Sequence, residues 1–144
     1  MSKPEDLVGK WKLDRSECFE EFTEAVGMNY VARKVAATSK PTCDIKIEGD
    51  KFTLDVHAIV FTKTEIIYTH GNEYESKAID GTKIKCVGRW EEGKIIMDCE
   101  PVDASSTLPK QTYTREIVDG ELLTTVVVHS DPEIVCRRYF KKCE

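Results

Sequence analysis

The chain has 144 residues, 40% hydrophobic and 33% charged, with a formal net charge of −5 at pH 7. That length accommodates one domain with a sizeable core, residues 1–144, and no second one. No apolar run approaches the ~20 residues of a membrane helix, and the acidic balance argues against nucleic acid as a partner, which needs a basic surface. The opening Met1-Ser2-Lys3-Pro4-Glu5-Asp6 is polar and lacks a hydrophobic signal segment, so the expectation is a cytoplasmic protein.

Gly9–Arg15 reads as the first strand. Ser16 is placed to cap a helix whose first turn carries Glu17, Glu20 and Glu21, the favourable sign at a helix N-terminus. Phe19, Phe22 and Val26 recur at helical spacing, and Gly27 is a stop signal. Asn29 then caps a second helix, on which Val31 and Val35 share a face near Met28, and Lys40-Pro41 ends it. The helical pair spans about 16–38 by these signals.

From Cys43 the rhythm changes to period two. Cys43, Ile45 and Ile47 alternate with Asp44, Lys46 and Glu48, and Phe52, Leu54, Val56 and Ala58 alternate with Thr53, Asp55 and His57. Turn signals follow at Gly49-Asp50, His70-Gly71-Asn72, Asp80-Gly81, Glu92-Gly93, Asp119-Gly120 and Ser130-Asp131-Pro132. Such runs read as consecutive antiparallel strands, about ten with the first included. Short strands joined by tight turns, without crossover helices, favour a sandwich or an up-and-down barrel. Val102–Pro109 reads as an exposed loop.

The six cysteines are Cys18, Cys43, Cys86, Cys99, Cys136 and Cys143. They form no C-x-x-C, pair with no histidine at zinc-ligand spacing, and His57, His70 and His129 are scattered, so neither metal nor cofactor is expected. A hairpin closed at Glu91-Glu92-Gly93-Lys94 sets Cys86 opposite Cys99, as neighbouring thiols rather than a disulfide. Phosphate-loop, dinucleotide, nucleophile-elbow and zinc-protease signatures are all missing, and the chain is read as a binding protein rather than an enzyme.

The last strand carries a conflict. In Ile134–Phe140, alternation groups Val135, Arg137 and Tyr139 on one face and Ile134, Cys136, Arg138 and Phe140 on the other. In a barrel one arginine therefore points inward whichever face is chosen. Arg115 likewise shares a face with Tyr113 and Ile117. Either these are surface charges on strands packed on one side, or they form a buried cationic site. A buried guanidinium requires a partner, and a carboxylate matches its donor fork, with a tyrosine hydroxyl able to add a third donor.

Several segments in order resemble the intracellular lipid-binding proteins, in particular the fatty-acid-binding proteins. They are Gly9-Lys10-Trp11-Lys12-Leu13 with Phe19 and Phe22, Arg33-Lys34-Val35-Ala36 through Lys40-Pro41-Thr42, Phe61-x-x-Thr64-Glu65, Thr114–Leu122, and the Arg-x-Tyr pattern of Arg137 and Tyr139. The resemblance implies a mainly β fold: a ten-stranded antiparallel barrel of the calycin type with a helix-turn-helix lid. It further implies that Arg115, Arg137 and Tyr139 face the cavity and hold a ligand carboxylate. Phe19, Phe22, Met28, Ala36, Pro41 and Phe61 match cavity or portal positions, and Arg33 and Lys34 match lid residues that in some members touch anionic membranes.

The function implied is a monomeric carrier of a long-chain fatty acid, making transient membrane contact through its lid. A retinoic-acid carrier of the same family is the alternative, since the connection around Val102–Pro109 is longer than in fatty-acid-binding members and resembles the retinoic-acid-binding branch. A barrel without lipid ligand, acting through its surface, is the more distant alternative.

Overall fold

The computed structural model describes residues 1–59, 62–78 and 81–143. After a 3₁₀ turn at Pro4–Leu7 come strand β1 (Gly9–Glu17), helices α1 (Phe19–Ala25) and α2 (Tyr30–Thr38), and strands β2 (Thr42–Glu48) and β3 (Lys51–His57). There follow β4 (Thr62–Tyr68), β5 (His70–Lys77), β6 (Lys83–Glu91), β7 (Lys94–Pro101), β8 (Gln111–Val118), β9 (Glu121–Val128) and β10 (Ile134–Cys143). The hydrogen-bonded order is β4-β3-β2-β1-β10-β9-β8-β7-β6-β5, each neighbour antiparallel. Pairing of the first strand with the last curls the meander into the expected barrel, nearly closed, with β4 and β5 flanking the seam.

Local chemistry sets the turns. Glu92-Gly93 and Asp119-Gly120 have positive φ at both residues (51° and 82°, 53° and 79°), the geometry of a two-residue hairpin turn matched to strand twist. The first of these turns aligns β6 with β7 so that Cys86 faces Cys99. Asn29 caps α2 as its sequence predicts, its Oδ1 accepting from the Ala32 amide at 2.9 Å. Ser16 does not cap α1. It stays in β1, the strand running on to Glu17, and Cys18 in left-handed conformation precedes the helix.

A bulge explains that extension. Leu13 pairs with Phe140 but Arg15 pairs with Tyr139, so Asp14 is the extra residue on β1. Trp11 and Leu13 point into the core, and beyond the inserted residue Arg15 pairs with Tyr139 and Ser16 with Arg138, both β1 residues being exposed. The main apolar cluster fills the end of the barrel around Trp11, Ile45, Phe52, Ile67, Ile95 and Leu122. The Trp11 indole, buried there, donates to the Leu7 carbonyl at 2.9 Å. A second cluster joins Phe22 and Val26 of the lid to Val126, Val128 and Cys136.

The seam closes on a glycine. Gly88 of β6 is buried, and a β-carbon there would collide with the carbonyl oxygen of Tyr68 on β4. The Tyr68 ring spans to β5 as well, stacking on His70 at 5.3 Å and meeting Tyr74 edge-on at 5.2 Å. Gly88→Ala is expected to destabilise the barrel by about 1–3 kcal/mol, because backbone rather than a flexible side chain must move. Urea unfolding with an unchanged slope and a lowered midpoint is the measurement; an unchanged midpoint would show the contact to be dispensable.

Candidate functional site

Inward-facing residues of β8, β9 and β10 form rows across the wall. Gln111, Val128 and Ile134 make one; Tyr113, Val126 and Cys136 the next; then Arg115, Thr124 and Arg138; then Ile117, Leu122 and Phe140. With strands about 4.8 Å apart, the two arginine backbones in the third row lie about 10 Å from each other across Thr124. Both side chains line an internal cavity of about 490 Å³.

Arg115 is 7% exposed. Its Nη2 lies 3.6 Å from Oε2 of Glu65 on β4, an ion pair longer than a hydrogen bond, and its buried Nη1 has no hydrogen-bond partner among the described residues. Arg138 donates from Nε to Ser16 Oγ at 3.2 Å, and its guanidinium lies 4.0 Å from the centroid of the Phe19 ring. Among the described residues no carboxylate comes within ion-pair distance of it. Burial without a counterion pulls its pKa down to about 10. Two guanidinium groups with spare donors therefore face one largely apolar space.

Several neighbouring polar groups are already engaged, while Ser39 Oγ in the same lining has no hydrogen-bond partner among the described residues and Lys63, Lys77 and Thr124 also line the cavity. The Tyr113 hydroxyl donates to Gln111 Oε1 at 2.8 Å, and burial pushes its pKa up. Burial likewise pushes the Cys43 thiol in the cavity wall up to about 11. The Tyr74 hydroxyl reaches Met97 Sδ at 3.0 Å.

Of the expected carboxylate-binding set, the fold brings only Arg115 to the cavity. Arg137 and Tyr139 stand on the outer face of β10. The Arg137 side chain is 45% exposed and pairs with Glu17 at 3.8 Å, while the Tyr139 hydroxyl donates to Glu17 Oε2 at 3.4 Å under the Arg15 guanidinium, 4.0 Å above its ring. The parity of the strand is set by Cys136, fully buried, and by Phe140 against Leu13 and Leu122. The inner arginine is thus Arg138, and Phe140 rather than a tyrosine lies two residues beyond it. The Arg-x-Tyr pattern pointed to the wrong face. The apolar content of the two faces was the better signal: Ile134, Cys136 and Phe140 on one, Val135 alone beside Tyr139 on the other.

Phe19, Phe22, Met28, Ala36 and Pro41 line the cavity, and Phe61 lies outside the described residues. Arg33 and Lys34 are tied back to α1, Arg33 to Glu24 at 3.8 Å and Lys34 to Glu20 at 3.1 Å, and Arg33 also donates to the Met28 carbonyl at 3.1 Å. Beside them α2 presents Tyr30, Val31 and Val35, 63%, 71% and 42% exposed, to the outside. No helix among the described residues is long and apolar enough to cross a membrane, and no group of metal-ligating side chains is found among them.

A model of the lipocalin/cytosolic fatty-acid binding protein family matches residues 8–131. Human cellular retinoic acid-binding protein 2 is 40% identical over 139 residues, which cover 94% of this chain and 96% of that protein. The sodium/calcium exchanger regulatory protein 1 of Doryteuthis pealeii is 33% identical over 139 residues, covering 96% and 98%. Among solved structures, apo lipid binding protein 8 of Caenorhabditis elegans matches with a TM-score of 0.89 at 26% identity over 99% of both chains. The REP1-NXSQ fatty acid transporter matches with a TM-score of 0.84 at 31% identity, over 96% of this chain and 97% of that one. The sequence match over most of the chain and the ten-stranded barrel with its two helices agree, and the chain belongs to the lipocalin/cytosolic fatty-acid binding protein family.

Proposed function

We propose that the barrel carries a long-chain fatty acid, its carboxylate held between Arg115 and Arg138 and its tail along the apolar wall. The observation behind this is the Arg115–Thr124–Arg138 row: two cavity-facing guanidinium groups, one with an unpartnered buried Nη1, the other without a counterion. Burying a cation in an apolar wall is costly, and a planar carboxylate offers each fork the acceptors it lacks. The acyl tail supplies most of the affinity, roughly 0.8 kcal/mol per buried methylene, less the freedom lost on binding.

Glu65 sets the terms of entry. Its carboxylate already sits beside Arg115, so an incoming anion displaces it or shares the guanidinium with it. Thr124, between the arginines, is a further hydroxyl at the head-group position. The role first assigned to Arg137 and Tyr139 passes to Arg138, with no tyrosine hydroxyl supplied from β10. The exposed apolar face of α2, with Arg33 and Lys34 beside it, supports transient contact with an anionic membrane during loading.

Retinoic acid is the second reading. It rests on relatives named as retinoic acid-binding proteins at 36–40% identity and on the connection between β7 and β8, residues 102–110. Its carboxylate would meet the same two arginines. Competition of oleate against retinoic acid on delipidated protein separates the two: displacement of retinoic acid by equimolar oleate supports the fatty acid, and the reverse supports the retinoid.

Arg138→Met and Arg115→Met are each expected to weaken oleate binding about 10- to 100-fold, the worth of a charge-assisted hydrogen bond, and to leave binding of methyl oleate nearly unchanged. Arg137→Met, on the outer face, is expected to change neither. Equal losses for acid and ester, or a loss confined to Arg137→Met, would reject the site. Unliganded protein gives the opposite sign. The Arg138 pKa is lower folded than unfolded, so its charge costs stability at every pH below about 10. Arg138→Met is therefore expected to stabilise the empty barrel by about 1–3 kcal/mol in thermal or urea unfolding at neutral pH.

A further inference from the structure

Cys86 on β6 and Cys99 on β7 are directly opposite in the ladder, both buried and both part of the cavity wall, with their sulfurs 3.1 Å apart. Neither belongs to the carboxylate site, and the apolar tail of a ligand needs no thiol. Directly opposed residues in an antiparallel pair have Cα atoms about 4.5 or 5.5 Å apart, and both spacings fall within the range a disulfide spans. Closing the bond requires the sulfurs to approach by about 1 Å, without backbone rearrangement. Of the other cysteines, Cys43 stands without a thiol partner in the same wall, Cys136 is buried against Phe22 and Val26 of the lid, and Cys18 and Cys143 are not part of the cavity lining.

We propose that Cys86 and Cys99 form a redox-active dithiol that reduces a fatty-acid hydroperoxide carried in the cavity to the corresponding alcohol. The proposal rests on the carrier reading, because the oxidant reaches this enclosed wall as cargo. The sulfur that accepts the hydrogen bond within the pair attacks the terminal oxygen of the O–O bond. That bond breaks, the lipid oxygen leaves with a proton as the alcohol, and the attacking sulfur becomes a sulfenic acid. The second thiol attacks that sulfur, displacing the hydroxyl as water and closing the disulfide. In total two thiols and one hydroperoxide give one disulfide, one alcohol and one water.

The lipid class follows from the surroundings. The pair shares its cavity with Ile84, Met97, Leu54 and Val56, and the arginine row, four ladder positions or two inward-facing rows further along the wall, fixes a carboxylate end. A polar peroxide gains nothing from such a wall, whereas an oxidised polyunsaturated acid gains both its tail contacts and its head-group pairing.

The test uses delipidated full-length protein carrying Cys18→Ser and Cys143→Ser, with linoleic acid hydroperoxide as the probe and linoleate and its hydroxy derivative as controls. Displacement of a fluorescent fatty acid reports occupancy; intact mass and product chromatography report chemistry. The expected result is loss of two hydrogens from the protein and one equivalent of alcohol formed per barrel, with no change on linoleate. Further replacing one of the two cysteines by serine should trap a sulfenic acid, as a gain of one oxygen, and replacing the other should leave the hydroperoxide intact. Hydroperoxide that binds while both thiols stay reduced overturns the dithiol and leaves the carrier standing. Formation of the alcohol by the Cys86→Ser, Cys99→Ser double variant overturns it as well. Failure of linoleate and hydroperoxide alike to displace the probe rejects the carrier reading, and this proposal with it.

Discussion

Two positive charges on the inner wall of a barrel are the constraint around which the rest is arranged. A cavity lined only by Leu, Val, Ile and Phe could collapse or be filled by larger side chains at a gain in stability. Arg115 and Arg138 prevent this, because a guanidinium sealed among apolar groups without acceptors is far more costly than the void it keeps open. Nearby polar groups moderate the cost without cancelling it. Glu65 stands 3.6 Å from Arg115, and Ser16 accepts one hydrogen bond from Arg138. What remains is one buried Nη1 of Arg115 without a hydrogen-bond partner and an Arg138 guanidinium without a counterion among the described residues, the groups on which the proposed anion site rests.

The bulge at Asp14 serves that arrangement. Without the extra residue, β1 would continue its alternation and present Arg15 to the cavity beside Arg138. With it, Arg15 moves outside to cover Tyr139 and pair with Glu121 at 2.9 Å, and the small, exposed Ser16 takes its place opposite Arg138, accepting from its Nε at 3.2 Å. The bulge also brings Arg138 under α1, where Phe19 lies over its guanidinium. Arg138 and the lid are therefore in direct contact, and whatever engages this guanidinium also bears on what holds the first lid helix.

Much of this was legible in the residues. Period-two runs between Gly, Asp and Asn turns fix strands wherever one face is buried, and hairpin symmetry about Glu92-Gly93 placed Cys86 opposite Cys99 before any fold was in view. Asn29 was readable because an N-cap acts within three residues. The inner face of β10 was not. Both of its faces carry an arginine and an aromatic ring, so local pattern leaves the parity open, and the Arg137–Tyr139 spacing favoured the face that packs on Glu17 and Arg15. Parity is settled only by long-range partners, Leu13, Leu122 and the lid. Ser16 misled for a related reason: it has the chemistry of a cap, but the bulge two residues earlier keeps it in the sheet.

The seam between β4 and β5 has a consequence of another kind. Any sheet that ends leaves a ladder of unpaired backbone groups, and a second molecule can add a strand to it. Here both ends turn towards each other, and the missing side chain at Gly88 lets the Tyr68 carbonyl fold in against β6 rather than face outward. Charged residues flank the gap, Lys63 on one side and Glu73, Glu75 and Lys77 on the other, so an approaching strand would have to desolvate them. The opening that interrupts the barrel is thereby protected against edge-to-edge assembly, and the sheet is kept from recruiting a strand of a second molecule.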